Sequence, residues 1–219
     1  MSDRGAFVVI GAGPGLGAAA ARRFGREGHP VGLIARDTDR LVTMAAALGG
    51  EGLTSTTETA DVTDAQALVT ALGALRERLG PIQAVLFSPR PSLSWIKPVL
   101  DTEASDLADA LALNVIAAAA AVRAVLPEMR RHRRGTLLFT TGGAAVEPHR
   151  DRAASAIAYA AESAYVRMLH DALADQGVLA AQVTVVGPIG PGARHEPDAV
   201  ARQLWRLHTE RDQSLVVLR

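Results

Sequence analysis

The stretch that most constrains the fold of this chain is Phe7-Val8-Val9-Ile10-Gly11-Ala12-Gly13-Pro14-Gly15-Leu16-Gly17. Its four apolar residues predict a short buried strand, and the glycines then turn the backbone into an alanine-rich run, residues 18–21, that predicts a helix. Backbone N–H groups at a helix N-terminus are directed at an approaching anion, and the helix dipole favours negative charge there. Pro14 fits this position, because a proline near a helix start loses no intrahelical hydrogen bond. The stretch therefore predicts a strand, an anion-binding turn and a helix in succession.

The spacing of the glycines distinguishes between several classes of phosphate-binding turn. A Walker-type loop needs Gly-Lys followed by Ser or Thr, and no lysine follows these glycines. The pattern G-x-G-x-x-G would need a glycine at position 16, which is Leu16. The pattern that fits is G-x-x-x-G-x-G, carried by Gly11, Gly15 and Gly17. It resembles the cofactor turn of the short-chain dehydrogenase/reductase superfamily, and the alternative is a purely structural turn.

The resemblance implies that this turn holds the pyrophosphate of a nicotinamide dinucleotide. The end of the second predicted strand, Ile34-Ala35-Arg36-Asp37, then bears on which dinucleotide is bound. NAD-binding folds carry an acid at this strand end that accepts hydrogen bonds from the adenosine ribose. The resemblance puts that position at Ala35, and a guanidinium at Arg36 would pair with a 2′-phosphate, which favours NADP(H) over NAD(H). The alternatives are that Arg36 is a solvated loop residue and that Asp37 or Thr38 caps the next helix.

Composition narrows the class of protein. The 219 residues are 48% hydrophobic and 21% charged, and the formal net charge is +0. Such a chain is long enough for one large α/β domain, and its charge favours neither nucleic acid nor an anionic membrane surface. It has no cysteine, which excludes disulfides and thiolate metal sites, and its histidines show no metal-ligand spacing. We expect a cytoplasmic protein without a signal peptide or a bound metal.

Strand and helix patterns alternate along the whole chain, and most of the strands are continuous apolar runs. Such runs are typical of parallel strands that are covered on both faces. The predicted strands are Phe7–Ile10, Val31–Ala35, Leu53–Thr59, Ala84–Phe87, Thr136–Thr140, Ala180–Val186 and Ser214–Leu218, and the predicted helices are 15–27, 39–48, 64–79, 102–131, 153–175 and 197–209. We predict one α/β domain, residues 1–219, with a doubly wound, seven-stranded parallel sheet of the Rossmann type. Its ligands would bind at the carboxyl ends of the strands.

Further cofactor contacts follow from the resemblance. Asp61 and Val62 match residues that lie beside the adenine ring, and the alternative is that Asp61 caps the helix that begins near Asp64. Where relatives have an Asn-rich turn after the fourth strand, this chain has Ser88-Pro89-Arg90-Pro91. The complete set of predicted cofactor residues is Gly11, Gly13, Pro14, Gly15, Leu16, Gly17, Arg36, Asp61, Val62, Ser88 and Pro188.

Asn114 is a polar residue inside an apolar helical stretch that continues into five alanines. A buried amide needs hydrogen-bond partners, so its presence calls for an explanation. In the superfamily this helix carries an asparagine of the catalytic tetrad, and Asn114 matches it. The same helix pairs subunits in relatives, so the resemblance also implies a homo-oligomer.

The catalytic pair of the superfamily, Tyr-x-x-x-Lys, is absent. The preferred alignment keeps the helix length and places the family's tyrosine on Ser155, its lysine on Tyr159 and its serine on or beside Gly142, near Thr141. The other alignment matches the tyrosine to Tyr159 and the lysine to Ser163. The candidate catalytic residues are therefore Asn114, Thr141, Ser155 and Tyr159, with His149 and Tyr165 as other possible proton donors.

Three functions are compatible with these residues. The first is an NADP(H)-dependent oxidoreductase with a degenerate tetrad that acts on a carbonyl or related group of a small molecule. The second is a catalytically silent NADP(H)-binding sensor or scaffold. The third is a non-redox lyase or isomerase on the same fold.

Overall fold

Seven parallel strands form one sheet in the order β3-β2-β1-β4-β5-β6-β7 in the computed structural model, which describes residues 4–219. Every neighbouring pair runs parallel. The strands are β1 Ala6–Ile10, β2 Val31–Ala35, β3 Ser55–Thr59, β4 Ile82–Phe87, β5 Gly135–Gly142, β6 Val178–Val185 and β7 Leu215–Leu218. The predicted seven-stranded, doubly wound parallel sheet is confirmed.

Helices connect the strands and cover both faces of the sheet. They are α1 Leu16–Arg26, α2 Thr38–Gly50, α3 Ala65–Leu79, α4 Ala104–Leu111, α5 Ala117–Arg131, α6 Ala153–Leu173 and α7 Pro197–Glu210. The alternation of side chains along β1 shows how the two layers form: Val8 and Ile10 enter the core beside α3 and α5, whereas Phe7 and Val9 enter the core beside α1 and α7. A continuous apolar strand is therefore needed, because both of its faces are buried.

The predicted helix 102–131 is not one regular helix. A π-helical segment, Ala112–Ile116, separates α4 from α5 and contains Asn114. By length and apolar composition, 104–131 is the one stretch of the described residues that could cross a membrane, but 44% of its most apolar window is buried inside the protein. One helix of this length and composition is weak evidence for a membrane span.

The long connection from β4 to α4 is held against the rest of the protein. Lys97 Nζ donates to both carboxylate oxygens of Asp106 at 2.9 Å, and Asp106 also accepts from the Glu103 N–H. The Val99 N–H donates to the Arg150 carbonyl at 2.7 Å, which ties this connection to the one that precedes α6. Two chain segments at the carboxyl edge of the sheet thus support each other.

We expect low pH to destabilise the fold, because His208, which lies beside His29, resists protonation in the folded protein. The rings of His29 and His208 lie 5.4 Å apart. Burial, reinforced by His29 and by Arg211, lowers the pKa of His208 from 6.5 to about 4. Between these values the unfolded chain binds more protons than the folded one, so stability is lost as the pH falls from 6.5 toward 4, by up to roughly 3 kcal/mol.

The variant His208→Gln tests this expectation by thermal unfolding across that pH window. Glutamine keeps an amide that can bond to the Thr136 hydroxyl, which lies 2.9 Å from His208 Nδ1, but it cannot take up a proton. The variant should lose less stability in acid than the wild type. An equal loss in both proteins contradicts the expectation.

Candidate functional site

The glycine turn between β1 and α1 lies at the carboxyl edge of the sheet. Gly11 has a φ of +84°, and a Cβ atom built on it would lie 2.4 Å from Pro89 Cα, so the turn passes too close to the β4 connection for any side chain. Cβ atoms built on Gly13 or Gly15 would meet nothing within 4 Å. No side chain caps the N-terminus of α1. The turn therefore faces open space with the uncapped end of a helix, which is the arrangement that binds phosphate groups.

A cavity of about 480 Å³ opens beside this turn at the carboxyl ends of β1 to β4. Its size lies within the range of small-molecule sites. The wall is formed by Gly11, Ala12, Ala35, Arg36, Asp37, Arg40, Ala60, Asp61, Val62, Thr63, Pro89, Arg90, Ser92, Trp95, Asp109, Ala112 and Leu113. Of the predicted cofactor residues, the wall includes Gly11, Arg36, Asp61 and Val62. It does not include Gly13, Pro14, Gly15, Leu16, Gly17, Ser88 or Pro188.

Two guanidinium groups occupy one part of the cavity wall. Arg36 is 74% exposed, and its Nη1 lies 3.8 Å from Asp61 Oδ2. Arg40, which sequence reasoning missed, places its Nη2 3.2 Å from Asp37 Oδ2. Its position in the first turn of α2, four residues after Arg36, was the available signal. Two neighbouring guanidiniums with only exposed, weak ion pairs are suited to bind a phosphate group.

The acidic residues around these arginines have defined roles. Asp37 caps α2, because its Oδ1 accepts from the Arg40 N–H at 3.0 Å. Asp61 accepts from both the N–H and the hydroxyl of Thr63, and these bonds, followed by the Arg36 charge, lower the pKa of Asp61. Asp64, not Asp61, caps α3, so the alternative of a helix cap at Asp61 is wrong. The Asp61 carboxylate is ionised on the cavity wall.

Two predicted cofactor residues lie in the connections that follow β4 and β6. Ser88 Oγ accepts a hydrogen bond of 2.6 Å from Thr140 Oγ1, which links the ends of β4 and β5. Pro188 is exposed in the loop after β6, where residues 186–196 contain no helix. In this loop the imidazole of His195 bonds to the Val186 carbonyl at 3.0 Å.

Asn114 lies in the π-helical segment and is 2% exposed. Its Nδ2 donates to the Ala110 carbonyl at 2.9 Å. Wide π turns of this kind are frequent at functional sites, because they redirect one side chain without ending the helix. Here the widened turn holds an amide in the interface between the α4–α5 stretch and α6.

The Tyr159 ring stands where a serine at position 142 would project. A Cβ atom built on Gly142 would lie 3.2 Å from Tyr159 Cε2. Burial, assisted by the charge of Glu162, raises the pKa of Tyr159 to about 12. The phenol is therefore a neutral hydrogen-bond donor at physiological pH. Ser155, one helical turn earlier on the same face of α6, is 8% exposed.

Thr141 is part of a buried polar network below Tyr159. Gln182 Nε2 lies 2.6 Å from Thr141 Oγ1, 2.8 Å from Ser163 Oγ and 3.1 Å from Thr184 Oγ1, and Ser163 Oγ donates to the Tyr159 carbonyl at 2.8 Å. The network fixes α6 against β5 and β6. Sequence reasoning missed Gln182, although a lone amide in an apolar strand was a visible signal. A catalytic role of Thr141 stays a prediction.

Among residues 4–219 there is no group of three or more His, Asp or Glu side chains placed to hold a metal ion. The polar groups at the carboxyl edge of the sheet are the arginines after β2, the Asn114 amide, the Thr141 and Ser155 hydroxyls and the Tyr159 phenol.

Comparison with known proteins gives a consistent result. A family model described as short chain dehydrogenase matches residues 6–197. A short chain dehydrogenase of Pseudocercospora fijiensis is 28% identical over 170 residues, which cover 76% of this chain and 53% of that protein. The chain spans about half the length of the curated relatives it matches.

Solved structures share the fold. A short chain oxidoreductase of Pseudomonas aeruginosa PAO1, described as NADPH-bound and as containing an atypical catalytic center, has a TM-score of 0.90 at 19% identity, with 100% of this chain and 96% of that chain covered. A metagenomic short-chain oxidoreductase in complex with NADP has a TM-score of 0.85 at 24% identity, with 99% and 97% covered.

Proposed function

This chain belongs to the short-chain dehydrogenase family, and on that premise we propose that it is an NADP(H)-dependent oxidoreductase that acts on a carbonyl or related group of a small molecule. The observation that carries the proposal is the pair Arg36 and Arg40 on the wall of the cavity beside the glycine turn. Two cations at the end of β2 suit a ribose 2′-phosphate, whereas an acid there would suit an unphosphorylated ribose. The NADPH-bound relative from Pseudomonas aeruginosa shares the fold and supports the choice.

The residues present fit the dinucleotide. The uncapped start of α1 and the open faces of Gly13 and Gly15 would receive the pyrophosphate. Asp61 and Val62 would lie beside the adenine ring. When bound, the nicotinamide supplies hydride transfer, and the protein contributes orientation and electrostatics.

Residues of the chain would supply the proton that the substrate oxygen needs. The neutral Tyr159 hydroxyl would donate a hydrogen bond and then a proton to a substrate oxygen. With a pKa of about 12, this phenol is a weak general acid at neutral pH. We therefore expect slow turnover with ordinary ketones and faster turnover with carbonyl groups that accept hydride readily, such as those of ortho-quinones.

Titration with NADPH, followed by its fluorescence, tests the proposal. The protein should bind NADPH at least tenfold more tightly than NADH and should oxidise it when an ortho-quinone or aldehyde panel is added. A tenfold preference corresponds to about 1.4 kcal/mol, the contribution expected from one of the two arginines. Failure to bind either nucleotide would refute the proposal.

A second candidate function is a catalytically silent NADP(H) sensor or scaffold. The observation that favours it is the raised pKa of Tyr159, with no lysine beside the phenol. Tight binding of NADPH without oxidation by any compound of the panel would select this function over the first.

The homo-oligomer stays a prediction. It is supported by exposed apolar side chains at the π-helical segment and on α6: Ile116 is 61%, Ile157 46% and Met168 62% exposed. A single monomeric species in sedimentation velocity would contradict it. The cytoplasmic location is part of the same proposal.

A further inference from the structure

Glu162 is a buried acid to which neither the fold nor the proposed chemistry assigns a role. Its side chain is 1% exposed, and Oε1 has no hydrogen-bond partner. Burial raises the pKa of Glu162 well above its ordinary value, and no charged group of residues 4–219 offsets that effect. A carboxyl group that is buried with an unpartnered oxygen favours its neutral form, which carries a proton that it can donate.

The helical spacing locates Glu162. Ala158, Glu162 and Val166 follow at intervals of four residues on one stripe of α6. Ala158 packs with Ala110 of α4, and Val166 belongs to the core cluster that includes Ala117 of α5. Glu162 lies midway along this stripe, so it faces the junction of α4 and α5.

That junction is the π-helical segment, which packs against α6 and holds Asn114. Asn114 is 2% exposed and uses Nδ2 for the Ala110 carbonyl. Two buried polar side chains from different helices thus share one interface. Burial of a polar side chain costs stability unless it finds a partner; Asn114 has one and Glu162 Oε1 has none.

Tyr159 lies three residues before Glu162 on the same helix, where side chains are neighbours. Once Glu162 is ionised, its negative charge raises the pKa of the Tyr159 phenol, whereas the charge of Arg152 lowers it. The phenol and the carboxyl are therefore electrostatically linked.

We propose that Glu162 is the proton store of the site and acts through Tyr159. The proposal rests on the proposed oxidoreductase function. When the substrate carbon accepts a hydride, its oxygen takes the proton of the Tyr159 O–H, which leaves a phenolate. The carboxyl O–H of Glu162 then releases its proton toward the phenolate oxygen, which restores the phenol and leaves a carboxylate. A proton from solvent regenerates the acid.

The order of acid strengths drives this sequence. A phenolate is a stronger base than a carboxylate, so return of the proton to Tyr159 is downhill. The buried carboxylate that remains is unstable without a counter-charge, so it is reprotonated. Each turn of the cycle consumes one hydride from the nicotinamide and one proton from solvent.

The test uses Glu162→Gln, which has the shape of the neutral acid but neither ionises nor supplies an acidic proton. In a Tyr165→Phe background, Tyr159 is the one tyrosine left, so ultraviolet difference absorbance follows its ionisation alone. Because the variant removes the negative charge that Glu162 carries in alkali, the midpoint of tyrosinate formation should fall by about 1. The exposed Glu77, changed to Gln, is the matched control and should leave the midpoint unchanged.

Turnover supplies the second measurement. With NADPH and an ortho-quinone as probe, Glu162→Gln should lower kcat on the order of 10²-fold with little change of KM. Glu162→Asp, which keeps an acid, should recover part of the rate. An unshifted tyrosinate midpoint together with an unchanged pH profile of kcat would overturn the proposal.

Two further outcomes are separable. If Glu162→Gln does not fold, infrared absorption of wild-type protein at neutral pH tests whether Glu162 is protonated. A protonated carboxyl has a C=O band that a carboxylate lacks. Absence of that band overturns the proposal. If wild-type protein binds NADPH but reduces no probe, the oxidoreductase function and the proton return both fail. The tyrosinate titration then still reports whether the two groups are coupled.

Discussion

The triple variant Gly142→Ser, Ser155→Tyr, Tyr159→Lys is expected to reduce simple aldehydes and ketones with NADPH 10²–10⁴-fold faster than wild-type protein. The range is the usual contribution of a positioned general acid. A tyrosine at position 155 and a lysine at position 159 share one face of α6. The ammonium at position 159 would lower the pKa of the phenol at position 155. In the native site the phenol of Tyr159 has no such neighbour, and its pKa is about 12.

The three changes are expected to depend on one another. Gly142→Ser alone would press its Cβ against Tyr159 Cε2 at 3.2 Å and should lower the melting temperature. Tyr159→Lys removes the ring, so the serine should be tolerated in the triple variant. Steady-state rates and melting temperatures of the single, double and triple variants measure this coupling. Additive effects, or a folded triple variant without added activity, would contradict the preferred alignment.

The double variant Arg36→Asp, Arg40→Ser is expected to weaken NADPH binding about 100-fold and to leave NADH binding within about threefold. Each arginine is expected to contribute roughly 1.4 kcal/mol through an exposed charge-assisted hydrogen bond, a value near the lower end for such bonds. Arg40 keeps its backbone N–H on Asp37 whatever its side chain, so the cap of α2 survives. Fluorescence titration with both nucleotides measures the two affinities.

Arg202→Glu provides the matched control, because Arg202 is exposed on α7, away from the cavity wall. It makes the net charge more negative by two units, against three in the double variant, and should leave NADPH affinity unchanged. Equal losses for NADPH and NADH in the double variant would argue against a 2′-phosphate role of the arginines.

Much of the fold was predictable from local patterns. The continuous apolar strands and the glycine spacing after β1 predict a two-sided parallel sheet with a phosphate-binding turn, and the sheet is confirmed. Strand and helix limits moved by a few residues, as for β6, which begins at Val178. The π-helical segment was not predicted, because one widened turn within a helix leaves the hydrophobic pattern around Asn114 almost unchanged.

The site was predictable only in part. Arg36 and Asp61 are marked by their position after a strand, and the structure brings both to the cavity wall. From the sequence, Asp61 could either lie beside the adenine ring or cap α3. Only the structure shows that Asp64 caps this helix. Which of the predicted residues bind the cofactor or act on substrate stays a prediction.

Neighbouring residues along the chain specify the succession of strands and helices, the glycine turn after β1 and the absence of a Tyr–Lys pair. Folding is what brings Tyr159 over Gly142, places Arg40 with Arg36 on the cavity wall, and buries Glu162 Oε1 without a hydrogen-bond partner. These features depend on atoms that approach through folding from distant parts of the chain, or on how a helix is rotated against its neighbours. Burial and contact across elements have no signature in local spacing.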